Sequence, residues 1–123
     1  MNEHRPLTEA EATTALAHHD AIMPTLGDGF TAAAFAAAPP RARVLGNFGA
    51  GFNHIALAAA AEAGVVVTNT PEVVTDATAD IALTLILMTA RRAGEGERLV
   101  RAGRWKGWHP TQMLGMHVTG RTV

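Results

Sequence analysis

Gly49 and Gly51 flank Ala50 in the stretch "NFGAGFNHI", residues 47–55, directly after the apolar run "ARVLGN". Glycines at this spacing, at the end of a strand, leave backbone N–H groups bare. Such a concavity accepts an anion, and a carboxylate fits it as well as a phosphate. A dinucleotide-binding fingerprint needs a third glycine three residues beyond the second, where the following helix must pack close to the strand, and His54 occupies that position. The fingerprint is broken. Two readings stay open on residue types alone: an anion nest, or glycines that merely allow a tight strand-to-helix turn.

The remaining reactive side chains narrow the chemistry further. His54 and His109 are the histidines to weigh as a general base, and a base needs an orienting partner and a place at the reacting carbon. His18, His19 and His117 read as ordinary surface or loop residues. The chain has no serine and no cysteine, which removes Ser-His-acid triads, thiolate nucleophiles, thiolate metal sites and disulfides together. No His/Asp/Glu spacing matches a metal site. No catalytic residue and no metal ligand is therefore assigned.

These groups must be positioned by a chain of 123 residues, 48% of them hydrophobic, which is the size of one domain with a single core. The formal net charge is −1, and Arg91-Arg92 is the one adjacent basic pair. Neither nucleic acid nor an anionic membrane is an expected partner. The start, "MNEHRPLTEAE", lacks the apolar core of a signal peptide. The longest uncharged apolar run, Ile81 to Ala90, would span only about half a bilayer. A soluble cytoplasmic protein is the expectation.

Helix and strand signals alternate along the sequence. "LTEAEATTALAHH" opens with Thr8 and Glu11 at capping-box spacing, predicting an Ala-rich helix. "DAIMPTL" (20–26) reads as a short strand ended by Pro24 and Gly27, and "TAAAFAAA" (31–38) as a helix stopped by Pro39-Pro40. A buried strand over 42–47, the glycine loop and a helix over 54–63 follow, with Gly64 placed to end that helix. "VVVTN" (65–69) is the clearest strand. Beyond Pro71 the longest helix is expected, about 77–92. It is apolar on nearly every side between Ile81 and Met88 and so is expected to be buried. Strands and helices alternating at this spacing predict an α/β fold, a parallel sheet flanked by helices.

Read together, "NFGAGFNHI", "AAAAEAGVVVTNTPEVVTDATADIALTLILMTARR", "GRWKGWHP" and "GRTV" resemble, in order and spacing, the catalytic domain of the D-isomer-specific 2-hydroxyacid dehydrogenases, especially the glyoxylate/hydroxypyruvate reductase branch. The resemblance covers about residues 20–123, and the run "VTNTPEVVTDATAD" is its most specific part. It implies a flavodoxin-like catalytic domain. It also implies that the backbone amides of the loop, at Gly49, Ala50 and Gly51, bind the carboxylate of a 2-oxo acid. The polar start of the long helix, Thr75, Asp76 and Thr78, would face an interdomain cleft, with Thr78 beside the nicotinamide end of NAD or NADP; capping by the Thr75 or Asp76 side chain is the plain alternative for those two. "GRWKGWHP" corresponds to an arm that packs against a second subunit in many relatives, implying a homodimer, while its plain reading is a surface loop pinned by two tryptophans.

The departures from the family pattern are specific. Relatives usually carry Asp at the position of Asn53 and another near Ala56, so the next helix is expected to be poorly capped while the nest survives. By the resemblance, "GRTV" opens a nucleotide-binding domain whose Gly-x-Gly-x-x-Gly turn, and the family's catalytic Arg, Glu and His, lie farther along; two strands are likewise expected before "RPLTEAE". The chain is thus expected to be a catalytic domain truncated at both ends, with a partial substrate-binding domain over 1–102 and the connecting arm with the start of the nucleotide domain over 103–123. Two function classes remain. One is the substrate half of an NAD(P)H-dependent reductase of small 2-oxo acids, inactive alone. The other is a non-catalytic binding or dimerisation module of the same descent.

Overall fold

The computed structural model describes residues 5–122. The chain divides into two compact units between Val74 and Thr75.

The first unit begins with α1 (Glu9–His18). Thr8 accepts from the Glu11 amide while the Glu11 carboxylate accepts from the Thr8 amide, closing the capping box that the sequence predicts. Arg5 grips the same carboxylate with two donors at 2.8 and 2.6 Å, and these bonds, with those from Thr8, hold the Glu11 carboxyl far below the usual carboxylate range. Strand β1 (Ala21–Ile22), helix α2 (Ala32–Ala36), strand β2 (Val44–Gly46), helix α3 (Leu57–Glu62) and strand β3 (Val66–Thr68) follow. The sheet runs β1-β2-β3, and both strand pairs are parallel, with Ile22 opposite Leu45 and Leu45 opposite Val67. This is the expected parallel sheet with flanking helices, in the expected order. β1 is shorter than the predicted 20–26 because Pro24 has no N–H to continue a ladder; its carbonyl instead accepts from the Phe48 amide at 2.9 Å.

Leu45, 0% exposed, sits on the central strand and anchors a core made with Leu16, Phe30, Phe35, Ile55, Val65 and the small residues Ala12, Ala34, Ala42 and Ala60. The alanines explain how short helices pack so near the sheet: a methyl group keeps the backbones close. Burying a Leu or Phe of this kind contributes roughly 1.5–3 kcal/mol. Asp28, 6% exposed, ties the loop after β1 to the segment before α1 by accepting from the Leu7 and Thr25 amides, each at 2.7 Å. The carboxylate takes the place of a ladder partner for backbone that no strand satisfies. Helix α3 has Ala56 at its N-cap and no side-chain cap bond, as the missing acidic residues led one to expect, and Gly64 follows its end at φ 72°.

The second unit holds α4 (Thr75–Ala90) and α5 (Ala93–Arg101), joined through Arg92 at φ 55°. Two expectations need correction. Residues 81–88 were expected to be buried, yet Ile81 is 61% exposed and no residue of α4 is buried. An apolar circumference states that a helix can be covered on every side; it does not provide the neighbours, and in its own unit α4 packs on α5. Thr75, offered as a capping residue, is the first residue of the helix rather than the one before it, and Asp76 lies in the first turn, where its charge meets the positive end of the helix. Helix α5 was not expected at all. Its large apolar residues are only Leu99 and Val100, and charge pairs lie on its surface, Arg92–Glu95 and Arg101–Glu97.

Candidate functional site

The glycine loop leaves β2 at Gly46 and reaches α3 at Leu57. Its entry is pinned on both sides. The Asn47 amide donates to Thr68 O at 2.9 Å, and the Phe48 amide donates to Pro24 O at 2.9 Å. Its exit is pinned by the parallel bridge of Phe30 with Ile55, where the Ala56 amide donates to Phe30 O at 2.8 Å. The loop thus sits at the carboxyl ends of three parallel strands, the edge at which such sheets receive ligands.

Within the loop, the carbonyls of Gly49, Ala50, Gly51 and Phe52 are engaged. Gly49 O accepts from Asn47 Nδ2 at 3.0 Å and from the Thr70 amide at 3.1 Å. Ala50 O accepts from Asn69 Nδ2 at 2.8 Å, Gly51 O from Asn47 Nδ2 at 2.9 Å, and Phe52 O from the Ile55 amide at 3.0 Å. The amides are treated differently. Those of Ala50 and Gly51, like those of Phe52, Asn53 and His54 after them, take no partner among the described residues. A segment with its acceptors spent and its donors unspent presents positive dipole ends, which is what an anion requires.

Neither Gly49 nor Gly51 has a positive φ, so the backbone angle at these positions is open to any residue. A Cβ at Gly51 would meet only Leu26 Cδ2, at 3.9 Å, and one at Gly49 nothing nearer than the same atom at 3.6 Å. Packing and backbone angle therefore give no reason for glycine at either position. What their lack of side chains does is leave the loop uncovered. Leu26, Phe48 and Phe52, all exposed, border it with apolar surface.

His54, which replaces the third glycine of a nucleotide fingerprint, is half-buried and bonded through Nε2 to Asn47 Oδ1 at 3.0 Å. Its ring belongs to the scaffold of the loop. His18 bonds to Thr14 O, His109 is exposed with its Nδ1 3.4 Å from Thr111 Oγ1, and His19 and His117 are exposed. Among the described residues no three His, Asp or Glu side chains are grouped to hold a metal ion. No helix there is long and apolar enough to cross a membrane. In the second unit, Thr78 stands exposed in α4, and Trp105 and Trp108 are 54% and 79% exposed. Asn47 and Asn69 stand outside the residues that the sequence singles out. A polar residue closing a buried strand, as Asn47 does after "RVLG", is the signal that could have found the first.

Comparison with known proteins agrees with this fold. The family model for the catalytic domain of D-isomer specific 2-hydroxyacid dehydrogenases matches residues 1–120. A glyoxylate reductase of Thermococcus onnurineus (strain NA1) is 44% identical over 108 residues, covering 85% of this chain and 32% of that protein. A glycerate dehydrogenase of Hyphomicrobium methylovorum is 38% identical over 104 residues, covering 85% of this chain and 32% of its own length. The crystal structure of a protein described as a D-isomer specific 2-hydroxyacid dehydrogenase, NAD-binding, from Polaromonas sp. JS6 66 superposes with a TM-score of 0.80 at 37% identity, over 95% of this chain and 37% of that one. The chain spans about a third of the length of the curated relatives it matches. By this match and by its sheet, the chain belongs to the D-isomer specific 2-hydroxyacid dehydrogenase family, in the catalytic domain.

Proposed function

We propose that Gly49, Ala50 and Gly51 hold the carboxylate of a small 2-oxo acid, of the glyoxylate or hydroxypyruvate type, for reduction to the 2-hydroxy acid by NADH or NADPH. The observation that carries this reading is the asymmetry at the glycines: the carbonyls of Gly49, Ala50 and Gly51 are all bonded while the Ala50 and Gly51 amides are not. The relatives named as glyoxylate reductases support the substrate class.

In this reading the loop does the binding and orienting. Two fixed N–H dipoles neutralise the carboxylate without a titrating group, so the acid is held in one direction and its 2-oxo carbon is presented away from the loop. The cofactor, when bound, supplies the hydride. The loop itself does not fit a pyrophosphate in the usual manner, because His54 stands where the third glycine would be. Thr78, whose exposed hydroxyl has no hydrogen-bond partner among the described residues, is the position of this chain assigned to the nicotinamide end. The 123 residues contain no Gly-x-Gly-x-x-Gly run. The chain alone is therefore expected to bind the acid without oxidising NAD(P)H. The exposed Trp105 and Trp108 support a homodimer formed through this arm.

The test is a split between ligands. In a protein that joins this segment to a nucleotide domain, Gly51→Val raises the KM for glyoxylate by at least about tenfold and leaves the Kd for the cofactor unchanged, since the loop conformation accepts a Cβ but the acid does not. Equal damage to both affinities points to a phosphate role or to misfolding, and thermal unfolding separates those two.

A further inference from the structure

A trans peptide points its C=O and its N–H in opposite directions, so whatever grips a carbonyl also aims the next amide. The Gly49 carbonyl shares a peptide plane with the Ala50 amide, and Asn47 Nδ2 and the Thr70 amide hold it at 3.0 and 3.1 Å. The Ala50 carbonyl shares its plane with the Gly51 amide, and Asn69 Nδ2 holds it at 2.8 Å. The geometry points to Asn47 and Asn69 as the positioning residues of the site: neither touches the ligand, and each turns one peptide plane so that its N–H faces outward. This inference rests on the carboxylate reading above.

The chemistry of the two side chains fits the task. Asn47 is 2% exposed and spends both Nδ2 protons on loop carbonyls, Gly49 O and Gly51 O, while Oδ1 accepts from His54. An amide turned the other way would set its oxygen against two carbonyl oxygens, so the network fixes its orientation. An Asp of the same shape has no donor for either carbonyl. Asn69 is exposed and closes β3, so the third strand reaches across with its side chain to fix the loop that follows the second. Without these grips the planes at 49–50 and 50–51 can rotate, since a glycine at one end of each opposes rotation least. A rotated plane turns a carbonyl oxygen toward the anion in place of an N–H.

The chain, labelled with nitrogen-15, is titrated with oxamate, and the amide resonances of Ala50 and Gly51 are followed. In the wild type both shift and saturate together. Asn69→Ala, a change at an exposed position, is expected to weaken oxamate binding roughly three- to tenfold, the worth of one hydrogen bond, with the shift at Gly51 reduced more than that at Ala50. Asn47→Leu is expected to weaken it further and to reduce the Ala50 shift most. Unchanged resonances of Leu45 and Ala60 show that the core is intact, which keeps Asn69→Ala decisive if Asn47→Leu does not fold. Wild-type binding that Asn69→Ala leaves as tight, with the same shift pattern, overturns the positioning role alone. Wild-type chain whose Ala50 and Gly51 amides do not respond overturns the carboxylate reading and the positioning role with it.

Discussion

His54 donates from Nε2 to Oδ1 of Asn47 at 3.0 Å, joining the first turn after the glycine loop to the residue that begins it. Because both protons of the Asn47 amide go to carbonyls, Oδ1 is the acceptor and the imidazole carries its proton on Nε2. The residue that breaks a nucleotide fingerprint is thus the one that completes the loop. His54→Ala leaves a buried carbonyl oxygen short of its partner. The expected cost is roughly 1–3 kcal/mol, read as a lower midpoint in urea unfolding with an unchanged slope. A variant as stable as the wild type would show that water replaces the imidazole at no cost.

This relationship also marks how far the sequence could be read. The parallel order of the strands was legible because "ARVLGN" and "VVVTN" are apolar runs bounded by Gly and Pro, and α1 was legible because Thr8 and Glu11 announce its cap. The loop was legible as the connection from the second strand to the next helix, from Gly49 and Gly51. Its scaffold was not, because the bond from Asn69 to Ala50 spans 19 residues and depends on β2 and β3 lying side by side. The exposure of α4 was illegible for a related reason: hydrophobicity is a property of a segment, while burial is a property of its neighbours.

Gly115 defines a close approach in the second unit. A Cβ there would stand 2.5 Å from Ala90 O, the same oxygen that accepts from the Met116 amide at 2.7 Å. Gly115→Ala must push the arm away from the end of α4 and lose that bond. The expected loss is about 1–3 kcal/mol, whereas Gly94→Ala, which meets only the far end of the Arg98 side chain at 3.4 Å inside α5, is expected to be neutral or stabilising. Chemical denaturation of the two variants checks the contrast. Equal effects would contradict the close packing of the arm on Ala90.

The pH dependence follows from Glu11. Hydrogen bonds from Arg5, then from Thr8, depress its carboxyl well below the usual carboxylate value of about 4.5. A group depressed on folding contributes stability that is fully present above its unfolded value and fades as the pH falls below it. The carboxyl is exposed, so solvent screening keeps the effect small. Wild type is expected to melt above Glu11→Gln at pH 7, and the gap in Tm is expected to narrow once the pH drops below about 4.5. A gap that widened in acid would reverse the sign and contradict the clasp.

Oxamate is expected to seat its carboxylate on the Ala50 and Gly51 amides, neither of which has a hydrogen-bond partner among the described residues. Crystals of the chain grown with oxamate test it most directly. Density for the acid is expected with its carboxylate oxygens within about 3 Å of the backbone nitrogens of Ala50 and Gly51, and with the bonds from Asn47 and Asn69 to the loop carbonyls unbroken. Oxamate bound through a side-chain cation elsewhere, with the Ala50 and Gly51 amides facing only solvent, would contradict it.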